Sequence, residues 1–178
     1  MTDRDELLQQ IKDLAVVHGK VTLASGREAD YYVDLRRITL AASAAPLVGR
    51  IMLELTKDWD FDVVGGMTLG ADPIATAMLH AAAATGRKLD ACVVRKESKS
   101  HGMQRRVEGP DVAGRRVLAI EDTSTTGGTV LTAVEALREA GANVIGIATL
   151  VERGAGPTIS SIGLPYRYPY DLTDLGLA

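Results

Sequence analysis

The residues best suited to chemistry lie in one stretch, RRVLAIEDTSTTGGTVLTAVEAL, residues 115–137. An apolar run leads into two adjacent carboxylates, Glu121 and Asp122, and a loop of threonines and glycines follows them. Carboxylates suit the neighbouring hydroxyl groups of a ribose, as in dinucleotide-binding folds. The loop presents hydroxyls and backbone N–H groups just before a predicted helix, whose dipole favours a bound anion. The stretch therefore predicts a site for a phosphorylated ribose.

The simpler alternative is a polar loop whose threonines only cap the following helix. That explanation is adequate for any single threonine, but it does not account for the acids, hydroxyls and glycines together. The loop is not a Walker A motif, because G-x-x-x-x-G-K-[ST] does not occur.

A second charged stretch, RKESKSHG at residues 95–102, opens a long polar segment without apolar periodicity. Charge runs of this kind are usually solvated loops. A long loop at the ligand edge of a sheet is, however, often a lid. Its cations could close over a departing anion and neutralise it.

A scaffold must bring these stretches together. Apolar strand patterns alternate with helical ones from residue 61 onward, which indicates an α/β fold with a parallel sheet of about five strands flanked by helices. The strand patterns are 61–66, 89–95, 115–121 and 143–153, and the helical patterns are 73–86 and 129–140. Ligands bind at the carboxyl ends of such strands, where we expect residues 65–72, 95–111, 121–129 and 152–156.

The segments outside the sheet are expected to form a small hood. The pattern predicts a helix at 3–18 closed by Gly19, two short strands around a Ser-Gly turn, and a helix at 43–57 with Ser43 as N-cap. The tail at 165–178 is expected to pack beside the N-terminal segment. We predict a single domain over 1–178, divided into hood (1–40 and 155–178), core (41–154) and lid (96–111).

Composition restricts the possible functions. A length of 178 residues suits one domain, and a net charge of -3 offers no general attraction to nucleic acid or membrane. A single cysteine, Cys92, permits neither a disulfide nor a thiolate metal site within the chain. His18 and His80 are expected near helix ends in structural roles. No signal peptide or membrane span is evident, so a cytoplasmic location is expected.

The stretch VLAIEDTSTTGGT resembles the phosphoribosyl-pyrophosphate (PRPP) signature of type I phosphoribosyltransferases. The resemblance implies that Glu121 and Asp122 bind the ribose hydroxyls. It implies Mg²⁺ as cofactor, held mainly by PRPP and water near these carboxylates, with no direct protein ligand expected. The remaining implied PRPP contacts in this stretch are Thr123, Ser124, Thr125, Thr126, Gly127, Gly128 and Thr129, with the 5′-phosphate on Thr125–Thr129.

The pattern R-K-x-x-K-x-H-G resembles the catalytic loop of the orotate phosphoribosyltransferase family. In that family the loop closes over the active site of the neighbouring subunit, so the resemblance implies a homodimer with shared sites. It implies that Arg95, Lys96, Lys99 and His101 contact PRPP, with Lys99 and His101 as the catalytic residues.

The N-terminal LASGREADYYVDLR is similar to the base-binding segment of the same family. The orotate-binding residues implied are Ser25, Gly26, Tyr32, Thr125 and Arg153. An arginine suits orotate because a guanidinium recognises a carboxylate through two hydrogen bonds. The implied reaction converts orotate and PRPP to orotidine 5′-monophosphate and pyrophosphate, in de novo pyrimidine biosynthesis.

Two positions depart from the family pattern: Leu69 and Ala24 stand where the family usually has lysine. Related enzymes can hold a non-proline cis peptide in the loop at 67–71. Two alternatives stay open. A purine phosphoribosyltransferase has no need of an arginine for a base carboxylate, and a non-catalytic PRPP-binding regulator would normally add a basic face or a DNA-binding segment. A dinucleotide-binding fold is disfavoured because G-x-G-x-x-G is missing.

Overall fold

The computed structural model describes residues 1–23, 25–97 and 105–178. Its helices are α1 (Asp3–Gln10), α2 (Arg36–Thr39), α3 (Ala45–Leu55), α4 (Ala71–Ala84), α5 (Gly128–Glu139) and α6 (Gly156–Ser160). Its strands are β1 (Val16–Thr22), β2 (Glu28–Val33), β3 (Val63–Met67), β4 (Asp90–Val94), β5 (Val107–Glu108), β6 (Arg116–Ser124), β7 (Asn143–Glu152), β8 (Tyr166–Arg167) and β9 (Tyr170–Asp171). No described helix is long and apolar enough to cross a membrane.

The central sheet has the order β5-β4-β3-β6-β7-β8, with β9 also beside β7. The pairs β3–β4, β3–β6 and β6–β7 are parallel, which confirms the predicted α/β class. The described part of this sheet has seven strands rather than about five. The additional strands β5, β8 and β9 are two residues long, which is too short to produce a periodic pattern in the sequence.

Helices cover both faces of this sheet. Along β6, Leu118 and Ile120 pack in the cluster that contains α3 and α4, whereas Val117 and Ala119 pack in the cluster that contains α5. Successive side chains of a strand point to opposite faces, so a continuous apolar run fills both clusters. This arrangement holds the carboxyl end of β6 at a fixed edge of the sheet.

The N-terminal helix is shorter than predicted. It ends at Gln10, a π-helical turn spans Ile11–Ala15, and β1 begins at Val16. His18 is therefore in a strand, opposite Tyr31 of β2, and not near a helix end. Antiparallel pairing with β2 overrides the helical spacing of the apolar residues here. The two strands around a Ser-Gly turn are confirmed as the β1–β2 hairpin.

The second predicted helix also begins later, because its N-cap is Ala44 rather than Ser43. The Ser43 hydroxyl instead donates to Gln10 Oε1 at 2.8 Å, linking α3 to the N-terminal helix.

The tail packs beside the N-terminal segment, as predicted. Tyr170 is buried, and its hydroxyl donates to the carbonyl oxygen of Arg4 at 2.8 Å. The Arg4 guanidinium lies 5.3 Å from the centre of the Tyr170 ring. The division into hood, core and lid remains a prediction.

Candidate functional site

The site is organised by the parallel ends of β6 and β7. Glu121 and Asp122 do not close β6, because the strand continues to Ser124 and pairs there with Glu152 of β7. The predicted strand at 115–121 ended three residues too early, since pairing with β7 holds the polar residues up to Ser124 in strand geometry. Both carboxylates are therefore carried by a rigid element.

Glu121 is 6% exposed, and Asp122 is half-buried. Oε1 of Glu121 accepts a hydrogen bond from the Asp122 N–H at 3.0 Å, and Oδ1 of Asp122 accepts one from the Thr123 N–H at 2.7 Å. Burial, followed by the negative charge of Asp122, raises the pKa of Glu121 to about 8. A protonated carboxyl group donates as well as accepts, so the pair can match two adjacent ribose hydroxyls.

The loop between β3 and α4 lies directly against these carboxylates. A Cβ atom added to Gly70 would overlap Glu121 Oε1 and lie 2.8 Å from Asp122 Oδ1. The Thr68–Leu69 peptide is cis, within the loop where the family resemblance allowed one. The Thr68 hydroxyl donates to Asp72 Oδ2 at 2.6 Å, and the Leu69 side chain is 64% exposed. Ala24, the other departure, lies outside the described residues.

The phosphate loop runs from the end of β6 into α5. Gly127 has φ +85°, a left-handed conformation that glycine adopts without steric cost. Thr125, Thr126 and Thr129 are exposed, and the Gly128 N–H is 3.4 Å from Thr126 Oγ1. The loop thus presents hydroxyls and N–H groups at a helix N-terminus, where an anion is favoured.

Arg153 is brought beside this loop by the register of the two strands. Its N–H donates to the Ser124 carbonyl at 3.0 Å. Gly154 follows, and a Cβ atom there would lie 3.6 Å from the Thr125 carbonyl oxygen. The Arg153 Nε atom is buried and has no hydrogen-bond partner within the described parts of the chain. This N–H donor therefore has no acceptor among the described residues, and it lies next to the phosphate loop.

The other predicted base-site residues lie on the β1–β2 hairpin. Ser25 and Gly26 are exposed in the turn, where Gly26 has φ +79°, and Tyr32 is 37% exposed. The Tyr32 hydroxyl accepts a hydrogen bond from Arg36 at 3.3 Å. These residues belong to a separate two-stranded sheet, whereas Thr125 and Arg153 follow the central strands.

The predicted lid is described only at its two ends. Lys99 and His101 fall at residues 98–104, outside the described residues. Arg95 lies 3.5 Å from the Glu108 carboxylate, and Lys96 is exposed. The Arg106 guanidinium donates to the carbonyl oxygens of Arg95 and Lys96, at 3.0 Å each, which joins the two ends.

Sequence reasoning missed Gly70, Arg106 and Glu152. A single glycine or arginine in a polar loop carries no periodic signal, and the role of each depends on which strand end it meets. Glu152 precedes Arg153, which is a predicted site residue. This position in the sequence does not indicate which atoms the Glu152 carboxylate contacts.

Comparison with known proteins identifies the family of this chain. A family model described as the phosphoribosyl transferase domain matches residues 38–162. An orotate phosphoribosyltransferase of Streptomyces avermitilis is 68% identical over 177 residues, covering 98% of this chain and 97% of that protein. One from Corynebacterium glutamicum is 60% identical, covering 98% and 94%.

A solved structure of the Mycobacterium tuberculosis orotate phosphoribosyltransferase in complex with PRPP is 53% identical. It superposes with a TM-score of 0.87 and covers 99% of this chain and 100% of that one. Because both the family model and these relatives extend over most of its length, the chain belongs to the phosphoribosyltransferase family and, within it, to the orotate phosphoribosyltransferases.

Proposed function

We propose that this protein transfers the 5-phosphoribosyl group of PRPP to orotate, which yields orotidine 5′-monophosphate and pyrophosphate. The observation that supports the proposal is the register of β6 and β7, which brings Glu121, Asp122 and the loop Thr125–Thr129 to the same sheet edge as Arg153, whose Nε atom has no hydrogen-bond partner among the described residues. The relatives named orotate phosphoribosyltransferase along nearly the whole chain support the same reaction.

The 5′-phosphate occupies the loop Thr125–Thr129 in this proposal, and Thr123 and Ser124 support the loop from the end of β6. Glu121 and Asp122 form hydrogen bonds with the ribose hydroxyls. The site suits Mg²⁺, because this ion prefers phosphate oxygens and retained waters to a cage made only of protein ligands, and PRPP supplies phosphate oxygens. When bound, Mg²⁺ would neutralise pyrophosphate oxygens, and Glu121 and Asp122 would lie near it without direct coordination expected.

Orotate binds between Arg153 and the hairpin residues Ser25, Gly26 and Tyr32 in this proposal, with Thr125 beside it. The Arg153 guanidinium pairs with the base carboxylate. Purine bases carry no carboxylate, so a purine substrate would leave the buried Nε atom without an acceptor, at a cost of roughly 1–3 kcal/mol. This argues for orotate over a purine.

Displacement at the anomeric carbon passes through an oxocarbenium-like state, as in glycoside chemistry. No protein nucleophile is needed. The chain has to align two anions, exclude water and neutralise the leaving group. We assign the last task to Arg95, Lys96, Lys99 and His101, with Lys99 or His101 supplying charge or a proton as pyrophosphate leaves.

We further propose a homodimer whose lids reach across to the neighbouring site. A largely apolar groove of about 1240 Å³ lies between α3 and α4. It is lined in part by Leu40 and Leu69, which are 71% and 64% exposed. Exposed apolar surface of this kind commonly marks an interface, and Leu69 connects the groove to the loop over the carboxylates. A cytoplasmic location is part of the proposal.

The test is an assay of pyrophosphate release with purified protein, Mg²⁺, PRPP and one base at a time. Release with orotate, and not with adenine, hypoxanthine or uracil, is expected. Release with a purine alone would overturn the assignment of Arg153. PRPP binding without release for any base would favour the regulator instead.

A further inference from the structure

Glu152, the last residue of β7, makes contacts that no part of the reaction described above uses. It is 9% exposed. Its Oε1 atom accepts a hydrogen bond from the Gly154 N–H, which bends the chain just after Arg153. Its Oε2 atom is buried and has no hydrogen-bond partner in the described regions. A buried carboxylate with one open oxygen is costly, so its retention at this position requires an explanation.

The segment that follows Arg153 contacts the phosphate loop at two points. A Cβ atom added to Gly154 would lie 3.6 Å from the Thr125 carbonyl oxygen, and one added to Gly127 would lie 3.2 Å from Thr158 of α6. Arg153 thus directly precedes a segment packed against the phosphate loop, and the Glu152 carboxylate supplies the side-chain hydrogen bond inside the turn at Glu152–Gly154.

Tyr166, at the edge of the sheet, lies near the Glu152 carboxylate. The Tyr166 hydroxyl of β8 forms a hydrogen bond of 2.8 Å with the Thr149 hydroxyl, in which either oxygen can be the donor. Burial raises the pKa of Tyr166, and the nearby Glu152 carboxylate raises it further. The phenol therefore keeps its proton and faces the carboxylate as a neutral dipole.

We propose that Glu152 is a positioning residue, which fixes the Arg153 turn against the phosphate loop so that the guanidinium meets the base carboxylate. The inference rests on the assignment of Arg153 to orotate made above. Glu152 acts through Arg153 and does not touch the substrate. Its removal should therefore affect orotate more than PRPP.

The test compares Glu152→Ala with Glu152→Gln, which keeps an oxygen to accept the Gly154 N–H. A misplacement of about 1 Å can cost about 10²-fold in rate, so Glu152→Ala should lower kcat/KM for orotate by about 10–100-fold. Most of that loss should be in KM for orotate, with a smaller change in KM for PRPP. Glu152→Gln should recover most of the activity, and Glu135→Ala, on the exposed side of α5, should have no effect.

A double-mutant cycle separates this inference from the function it rests on. If Arg153 binds orotate and Glu152 positions it, Glu152→Ala should add little to the orotate KM of Arg153→Ala. The positioning role would be overturned if Glu152→Ala raised the orotate KM by the same factor with Arg153 present and in the Arg153→Ala variant. It would also be overturned if Glu152→Ala raised the KM values for orotate and PRPP in parallel. An unchanged orotate KM in Arg153→Ala alone would instead overturn the base assignment. Thermal unfolding of each variant identifies any that fail to fold.

Discussion

At the scale of single residues, Glu121 shows how burial changes the chemistry of a carboxyl group. Its pKa of about 8 lies above the ordinary value of 4.5, chiefly because water is excluded and secondly because Asp122 is charged. Near neutral pH the raised pKa therefore favours the neutral, protonated form of Glu121. This reduces repulsion of an anionic substrate while both groups remain available to hydroxyls.

The raised pKa predicts a specific pH dependence of stability. The folded protein retains a proton on Glu121 that the unfolded chain releases above pH 4.5. The contribution of this group to the free energy of unfolding is thus full below pH 4.5 and is lost as the pH rises through about 8. Glu121→Gln should lack this loss. Urea unfolding of both proteins between about pH 5 and 9 measures it, and parallel pH profiles would contradict it.

Lys99 carries the residue-scale prediction for catalysis. A positioned acid–base or charged group typically contributes ~10²–10⁴-fold, so Lys99→Ala should lower turnover by about that factor with little change in the free energy of unfolding. Steady-state assays with saturating orotate and PRPP measure this. Lys12→Ala, an exposed lysine in the N-terminal segment, is the control. Unchanged turnover in Lys99→Ala would remove this residue from the mechanism.

At the scale of elements, the site depends on loops pressed against strand ends. The β3–α4 loop approaches the carboxylates so closely that Gly70 has no room for a side chain. The predicted lid segment begins just after β4, and β5 with the Arg106 side chain joins its two ends. In both places contacts between distant segments set the shape of the candidate site.

Gly70→Ala tests this close approach. The added methyl group should displace the Glu121 or Asp122 carboxylate, because it would overlap Glu121 Oε1 and lie 2.8 Å from Asp122 Oδ1. Isothermal titration calorimetry should show a fall in PRPP affinity of about tenfold or more. A tenfold fall corresponds to a loss of about 1.4 kcal/mol in binding free energy. Affinity equal to that of the unchanged protein would show that the carboxylates do not hold PRPP in this geometry.

At the scale of the whole molecule, the apolar groove between α3 and α4 predicts self-association. Leu40→Glu places a charge at an exposed apolar position of the groove. Burying that charge in an interface is unfavourable, so we expect sedimentation velocity to find the variant monomeric and the unchanged protein dimeric. Lys12→Glu, outside the groove lining, is the matched control.

Mixing two inactive variants tests whether the lid crosses between subunits. Lys99→Ala retains Arg153, and Arg153→Ala retains the lid lysine. If lids are exchanged, each mixed dimer contains one complete site. Random reassociation would then restore about a quarter of the original activity. Equally low activity after mixing would indicate that each lid serves its own subunit.

Much of this could be predicted from the sequence because it depends on local order along the chain. The apolar runs and their alternation with helices indicated the α/β class, which is confirmed, and predicted the sheet edge at which we propose that ligands bind. The string from Glu121 to Thr129 predicted a ribose-phosphate site, since strand, acids, hydroxyls and glycines occur in the order that such a site needs. The tail's packing on the N-terminal segment was also foreseen.

Only the tertiary structure decided what depends on contacts between distant segments. Strand pairing extended β6 past the carboxylates and converted the end of the first predicted helix into β1. The approach of the β3–α4 loop to β6 decided the contacts of Gly70, the turn after β7 decided those of Glu152, and burial raised the pKa of Glu121. Periodicity records which face of an element is buried, but burial of a particular carboxylate depends on which other segment covers it, and that is settled only when the chain has folded.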